Sequence, residues 1–168
     1  MVSDETLILE FLHGSREAFE ELFARYREPI YGFFRRRLPD RQRAEDLTQD
    51  AFLAVIRATS RYEPRSAVRT YLYGIAFKLV AAERRNFART GPPPPTEPAM
   101  HGDDDAALWV REALDRLDSA EREILMLREY EQLSYAEIAD LLRLPLNTVR
   151  TRLFRARLAM KEHLHANR

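Results

Sequence analysis

The residues from Arg150 to Arg157 carry the most distinctive chemistry in this sequence. Arg150, Arg152, Arg155 and Arg157 set four guanidinium groups beside Thr151 and Phe154, in a segment with no acid between Asp140 and Glu162. A guanidinium donates through a planar fork that matches phosphate oxygens and the O6/N7 edge of guanine, so the composition suits a helix lying in a DNA major groove. At about 100° per residue, Val149, Leu153, Ala156 and Met160 share one apolar stripe. Arg150, Thr151, Phe154 and Arg155 occupy the opposite face, flanked by Arg152 and Arg157. Basic amphipathic helices are also ordinary solvated surfaces, and the pattern of this helix alone leaves that alternative open.

The surrounding stretch, Ser134 to Lys161, supplies a way to present that face. Ser134 followed by Glu137 is a capping box, which predicts a helix starting at Tyr135 and burying Ile138, Ala139, Leu141 and Leu142. The break Arg143-Leu144-Pro145-Leu146 ends it. Asn147 is expected to cap the second helix by accepting from the N–H of Val149 or Arg150. Two short helices joined by a tight turn, the second one basic, make a helix-turn-helix.

Two further constellations lie upstream. A helix predicted from about Arg69 to Arg89 carries Tyr71, Tyr73, Phe77 and Phe87 among Arg69, Lys78, Arg84, Arg85 and Arg89. That mixture can stack single-stranded bases and hold their phosphates, although aromatics four apart are equally core residues. Another helix, roughly Arg41 to Thr59, buries Ala44, Leu47, Ala51, Ala54, Val55 and Ala58. Its other face mixes Asp46, Gln49, Asp50 and Arg57 with Leu53 and Ile56. Aliphatic groups rimmed by charge suit a protein interface, but packing against the first helix would also hide them.

Catalytic and metal chemistry find little support. His101 with Asp103, Asp104 and Asp105 sits in a Pro-rich stretch with nothing to orient ligands, and His163 and His165, two apart on a helix, point to different faces. The sequence has neither a glycine-rich phosphate loop after a strand nor a nucleophile elbow. No cofactor is implied.

The positioning elements follow the hydrophobic periodicity. Thr6 to Leu12 reads as a short helix ending at Gly14. Ser15 then caps a long helix bearing Phe19, Leu22, Phe23, Tyr26 and Ile30, with Pro29 as a site for a kink. Arg35, Arg36 and Arg37 suit the negative end of its dipole. RYEPRSAV (Arg61 to Val68) has no periodicity and reads as a loop. GPPPPTEPAMHGDDD (Gly91 to Asp105) reads as a stiff linker with an acidic end. After it, a helix from about Ala106 to Leu117 offers Val110, Ala113, Leu114 and Leu117 to a second core, and Asp118-Ser119 starts another through Ile124, Leu125 and Leu127.

The 168 residues carry 27 basic and 27 acidic side chains, an average over opposites: residues 91–119 hold seven acids against two bases, while both flanks are mildly basic. The absence of cysteine excludes disulfides and thiolate metal sites and fits a reducing cytosol. The N-terminal stretch has acids where a secretory signal has positive charge, and no apolar run approaches a membrane span. A cytoplasmic protein without membrane insertion is expected.

DLTQDAFLAVIRATSRYEPRSAVRTYLYGIA (Asp46 to Ala76) and LSYAEIADLLRLPLNTVRTRLFRAR (Leu133 to Arg157) together resemble bacterial sigma factors of the extracytoplasmic-function (ECF) subfamily. Their order, spacing and linker match over about residues 5 to 165. The resemblance implies an all-α fold of two small helical domains joined by a Pro-rich acidic linker, with the helix-turn-helix in the second. Residues 1–90 would bind core polymerase and the minus-10 element, 91–105 would be a flexible linker, and 106–168 would read the minus-35 element.

By the same resemblance, Asp46, Gln49, Asp50 and Leu53 stand where the family contacts the clamp helices of the largest polymerase subunit. The loop Arg61 to Val68 stands where it captures a base flipped from the non-template strand, which assigns Tyr62, Arg65, Arg69, Tyr71 and Lys78 to minus-10 binding and melting. Thr148, Arg150, Thr151, Phe154 and Arg155 fall at or beside the minus-35 reading positions, with Arg152 and Arg157 placed for phosphate. The linker corresponds to a segment threaded through the polymerase cleft, where its acidity would imitate nucleic acid.

The implied partners are core RNA polymerase and promoter DNA, duplex and single-stranded; the sequence leaves open whether an anti-sigma factor joins them. The implied role is not enzymatic. Tyr71, Lys78, Ala82 and Arg143 depart from the family's usual Trp, Asn, Asp and Gly, so its minus-10 preference does not transfer. If Arg143 needs positive φ, the turn carries strain of roughly 1 kcal/mol. Two competing readings are a stand-alone helix-turn-helix regulator with an N-terminal sensor or dimerisation module, and a helical adaptor whose basic faces are merely solvated.

Overall fold

A computed structural model describes residues 1–58, 61–63, 67–91 and 105–166. Apart from 3-10 geometry at Arg61, the regular elements among them are α-helices, and the chain divides into two compact units, Met1–Pro98 and Ala99–Arg168. The expected all-α, two-part architecture is the observed one. The linker after Gly91 lies outside the described residues.

The first unit contains α1 (Asp4–Leu12), α2 (Arg16–Arg37), α3 (Arg41–Ala58) and α4 (Val68–Thr90). Helix α1 starts two residues before the expected Thr6, because the Ser3 hydroxyl accepts from the Thr6 N–H at 3.1 Å. Gly14 takes φ +99°, which lets the chain reverse, and Ser15 caps α2 by accepting from the Ala18 N–H at 3.2 Å. Helix α2 runs through Pro29 to Arg37, since the ring removes one backbone donor on an exposed face.

Ile8, Ile30, Phe33, Phe34, Val68 and Val80 are essentially inaccessible and join α1, α2 and α4 in one core. The expected stripe on α3 is only partly right. Ala44, Leu47, Ala51 and Val55 are buried, but Ala54 and Ala58 are half-exposed, and Phe52 takes the core position against Phe19 and Phe23. The helix turns towards its bulkiest apolar residue because ring burial outweighs methyl burial. Arg43 donates to both carboxylate oxygens of Glu83, at 2.6 and 2.8 Å, clamping α3 to α4.

The second unit contains α5 (Asp105–Asp115), α6 (Ser119–Glu129), α7 (Tyr135–Leu142) and α8 (Leu146–Ala166). Asp118 caps α6 through the N–H groups of Ala120 and Glu121. Ile124, Leu127, Leu133, Ile138, Val149 and Leu153 form its core. The turn between α6 and α7 takes Gln132 through φ +57°.

Candidate nucleic-acid and protein interfaces

The helix-turn-helix is built by local bonds. Both arms of the capping box are present: the Glu137 N–H donates to Ser134 Oγ at 3.1 Å, and the Ser134 N–H donates to Glu137 Oε1 at 3.2 Å. Ile138 is buried, whereas Ala139, Leu141 and Leu142 are half-buried. The chain leaves α7 through Arg143, at φ +55° and ψ +48°, while the Leu144 N–H returns to the Ala139 carbonyl at 3.0 Å. This is a left-handed helix stop of the kind glycine usually makes.

Asn147 does not cap α8. The helix begins at Leu146, and the Pro145 carbonyl accepts the N–H groups of Thr148 and Val149 at 3.0 and 3.2 Å. Proline costs nothing before a first helical turn, since its missing N–H would have had no intrahelical partner. Asn147, displaced into that turn, accepts from Arg150 Nη1 at 3.4 Å through its side chain and from the Thr151 hydroxyl at 2.9 Å through its carbonyl.

Val149, Leu153 and Ala156 are buried as expected, and Met160 is half-buried. Arg150, Thr151, Phe154 and Arg155 are all exposed, and Phe154 reaches 68 %. A phenyl ring so exposed at the centre of a basic face is ready to meet a partner's apolar group, such as a thymine methyl. Thr148 and Arg152 are half-buried at its edge. Arg157 is already engaged: Nη2 lies 2.9 Å from Glu129 Oε1 and Nη1 3.4 Å from the Tyr135 hydroxyl. The bond to Glu129 raises its already high pKa.

On α3, Asp46 is half-buried and accepts from Gln42 Nε2 at 3.1 Å, while Gln49 and Asp50 are exposed. Leu53 and Ile56 remain 46 % and 44 % exposed. Neither is hidden by α1, so the packing alternative falls and the mixed carboxylate and aliphatic face stands open.

The residues around α4 separate into two groups. Tyr62 is buried and meets Tyr71 edge-on, ring centroids 5.2 Å apart, so it packs on α4 instead of presenting its ring to solvent. Burial pushes both phenols above their ordinary range, Tyr62 with help from Glu5. The Tyr71 hydroxyl is buried without a hydrogen-bond partner among the described residues. Lys78 is exposed and Arg69 half-buried. Tyr73 is a core residue, 5.7 Å from Phe33 between ring centroids. Arg65 lies outside the described residues. The ion pairs Arg157–Glu129 and Arg43–Glu83 had no local sequence signal, because their members are 28 and 40 residues apart.

Residues 22–89 match the family model for sigma-70 region 2, and residues 107–160 match that for sigma-70 region 4. The chain is 32 % identical to the RNA polymerase sigma-H factor of Pseudomonas aeruginosa, over 96 % of this chain and 93 % of that protein. The chain belongs to the ECF sigma factors. It is also 29 % identical to the ECF sigma-E factor of Haemophilus influenzae, over 93 % of this chain and 92 % of the relative. Its fold is similar to that of the sigma factor RpoE, solved with the anti-sigma factor NepR from Bartonella quintana: TM-score 0.72, 23 % identity, 89 % of this chain and 98 % of that one.

As an ECF sigma factor, the chain associates with core RNA polymerase and directs promoter-specific initiation, and the reading as a stand-alone regulator gives way. No helix among the described residues is long and apolar enough to cross a membrane.

Proposed function

We propose that this sigma factor divides its work among three surfaces. Helix α8 reads the minus-35 element in the major groove through Arg150, Thr151, Phe154 and Arg155, with Thr148 at its entry and Arg152 on phosphate. Arg157 joins them only by giving up Glu129. Helix α4 and the loop before it bind and melt the minus-10 element through Arg65, Arg69 and Lys78, over a platform made by Tyr62 and Tyr71. Helix α3 docks on core polymerase through Asp46, Gln49, Asp50 and Leu53. The corresponding domains are 1–90 and 106–168, with 91–105 as the linker.

The observation that carries this reading is the exposed face of α8. Its apolar stripe is spent on the core, and Phe154 and Arg155 are left outward in a segment with no acid between Asp140 and Glu162. All three surfaces bind and position, so the subunit itself catalyses nothing, and it acts in the cytoplasm beside the polymerase. An anti-sigma protein that binds the free chain and competes with core is a further partner, by analogy with the RpoE complex.

The test is run-off transcription by purified core polymerase, with and without this protein, on a promoter-bearing template library. Starts that depend on the protein and share two upstream elements support the assignment. Absence of specific initiation under every condition sinks it.

A further inference from the structure

Helix α4 lacks a cap of its own. Ala67 occupies its N-cap with dihedrals of φ −57° and ψ 143°, but its side chain offers no acceptor. The acceptor comes from 63 residues upstream, where Glu5 Oε1 takes the Val68 N–H at 3.3 Å. A carboxylate at that end also meets the positive pole of the α4 dipole.

Glu5 is itself held on a firm base. Its neighbour Asp4 accepts from Arg25 Nη1 at 2.8 Å and from the Tyr26 hydroxyl, tying the first turn of α1 to α2. Phe11 and Phe19 join the other end of α1 to α2, their ring centroids 5.0 Å apart. Tyr62, just upstream of α4, lies within the electrostatic reach of Glu5. One carboxylate on a fixed platform therefore caps the first turn of α4.

From this geometry we infer that Glu5 is a positioning residue for promoter melting: by capping α4 from α1, it fixes the first helical turn of α4, against which the minus-10 strand is bound. The inference rests on the proposed reading of α4 and the loop before it as the melting element. Glu5 touches no DNA in this account. It sets where Val68, and with it Arg69 and Tyr71, stand before the strand arrives.

The experiment follows opening of a duplex promoter by holoenzyme, using permanganate reactivity of the minus-10 thymines, in parallel with the same promoter pre-opened by mismatches. Glu5→Ala is expected to slow duplex opening about fivefold, the effect of one lost helix cap on a conformational equilibrium. Core affinity and the rate on the pre-opened template stay unchanged. Glu5→Gln keeps the Oε1 acceptor and opens duplex at close to the normal rate. Ala67→Ser, added to Glu5→Ala, supplies a local cap and restores opening.

Normal opening by Glu5→Ala, equal slowing on both templates, a matching loss of core affinity, or no restoration by Ala67→Ser would overturn the inference. Lys78→Glu and Tyr62→Ala test the underlying reading. If neither slows duplex opening, α4 is not the melting element; if both do and Glu5→Ala does not, only the role of Glu5 fails.

Discussion

Arg157 of α8 is held by Glu129 at the end of α6, its Nη2 2.9 Å from Glu129 Oε1. The pair fixes α8 against the helix before the helix-turn-helix, so one of the four arginines in the basic run serves the fold.

That division has a measurable consequence in salt. Each phosphate contact contributes about one unit to the slope of log affinity against log salt. Arg152→Ala should flatten the slope of holoenzyme binding to promoter by about one unit, and Arg157→Ala should leave it nearly unchanged. Because both partners of the Arg157 pair are about half exposed, its loss should cost at most about 1 kcal/mol, read as a small drop in Tm. A slope that flattens equally in both variants refutes the distinction.

Charge reversal separates the two interfaces. Arg155 is exposed on α8 and, among the described residues, makes no polar contact within the protein, so Arg155→Glu should abolish minus-35-dependent initiation while sparing core affinity. Asp50, exposed beside Leu53 on α3, should show the reverse when changed to Arg. Core binding by fluorescence anisotropy and run-off transcription together decide the matter, and identical defects would contradict this division of labour.

Glu83 is a buried anion of the first unit, its side chain 7 % exposed and answered by Arg43 from α3. Arg43→Ala strands that carboxylate in the core. Loss of one partner from a buried pair costs about 3–5 kcal/mol, and because Arg43 is itself 39 % exposed the expected loss is about 2 kcal/mol. The urea midpoint of unfolding measures it, and an unchanged midpoint would show that the carboxylate finds water or another donor.

Tyr71 presents the opposite case, a buried hydroxyl with no hydrogen-bond partner among the described residues. Tyr71→Phe should be neutral or stabilising by up to about 1 kcal/mol, since it removes an unsatisfied polar group and keeps the ring on Tyr62. The pH dependence follows from the raised phenol pKa. Folding favours the neutral phenol, so its contribution is complete below the ordinary value of about 10 and is lost as pH rises through the higher folded value. Unfolding titrations above pH 10 should therefore show a shallower alkaline loss for Tyr71→Phe than for the native chain.

What the sequence disclosed depended on how far apart the cooperating residues lie. The capping box of Ser134 and Glu137, the cap at Ser15 and the stripe Val149–Leu153–Ala156 are contained within a few turns, and the structure reproduces them. The cap on Val68 is not so contained, because its acceptor is 63 residues away and no local pattern marks it. Asn147 misled for a different reason: its type favours an N-cap, but Pro145 already begins the helix with its carbonyl. Phe52 shows a third limit, since alanine spacing on α3 suggested a face that ring packing against Phe23 then rotated. Leu53 and Ile56 are resolved only by their exposure in the fold, as helical periodicity places a residue on a face and says nothing of what covers it.

Arg143 is where sequence and geometry agree that something is held under strain. The turn of the helix-turn-helix requires φ +55° there, in the left-handed region that a Cβ disfavours by roughly 1–2 kcal/mol. Glycine adopts that conformation without the clash but loses more chain entropy on folding, so the two effects partly offset. Arg143→Gly should therefore stabilise the second unit by about 0.5–1 kcal/mol, a rise of a few degrees in Tm for a domain of this size. Arg143 is exposed and lies outside the proposed reading face of α8, so its guanidinium is not expected to be missed in initiation. Calorimetry of Arg143→Gly beside Arg143→Ala tests the cause: alanine keeps the Cβ and should not stabilise. If alanine raises Tm as much as glycine does, the gain comes from removing the charge or the long side chain, and the strain at this turn is negligible.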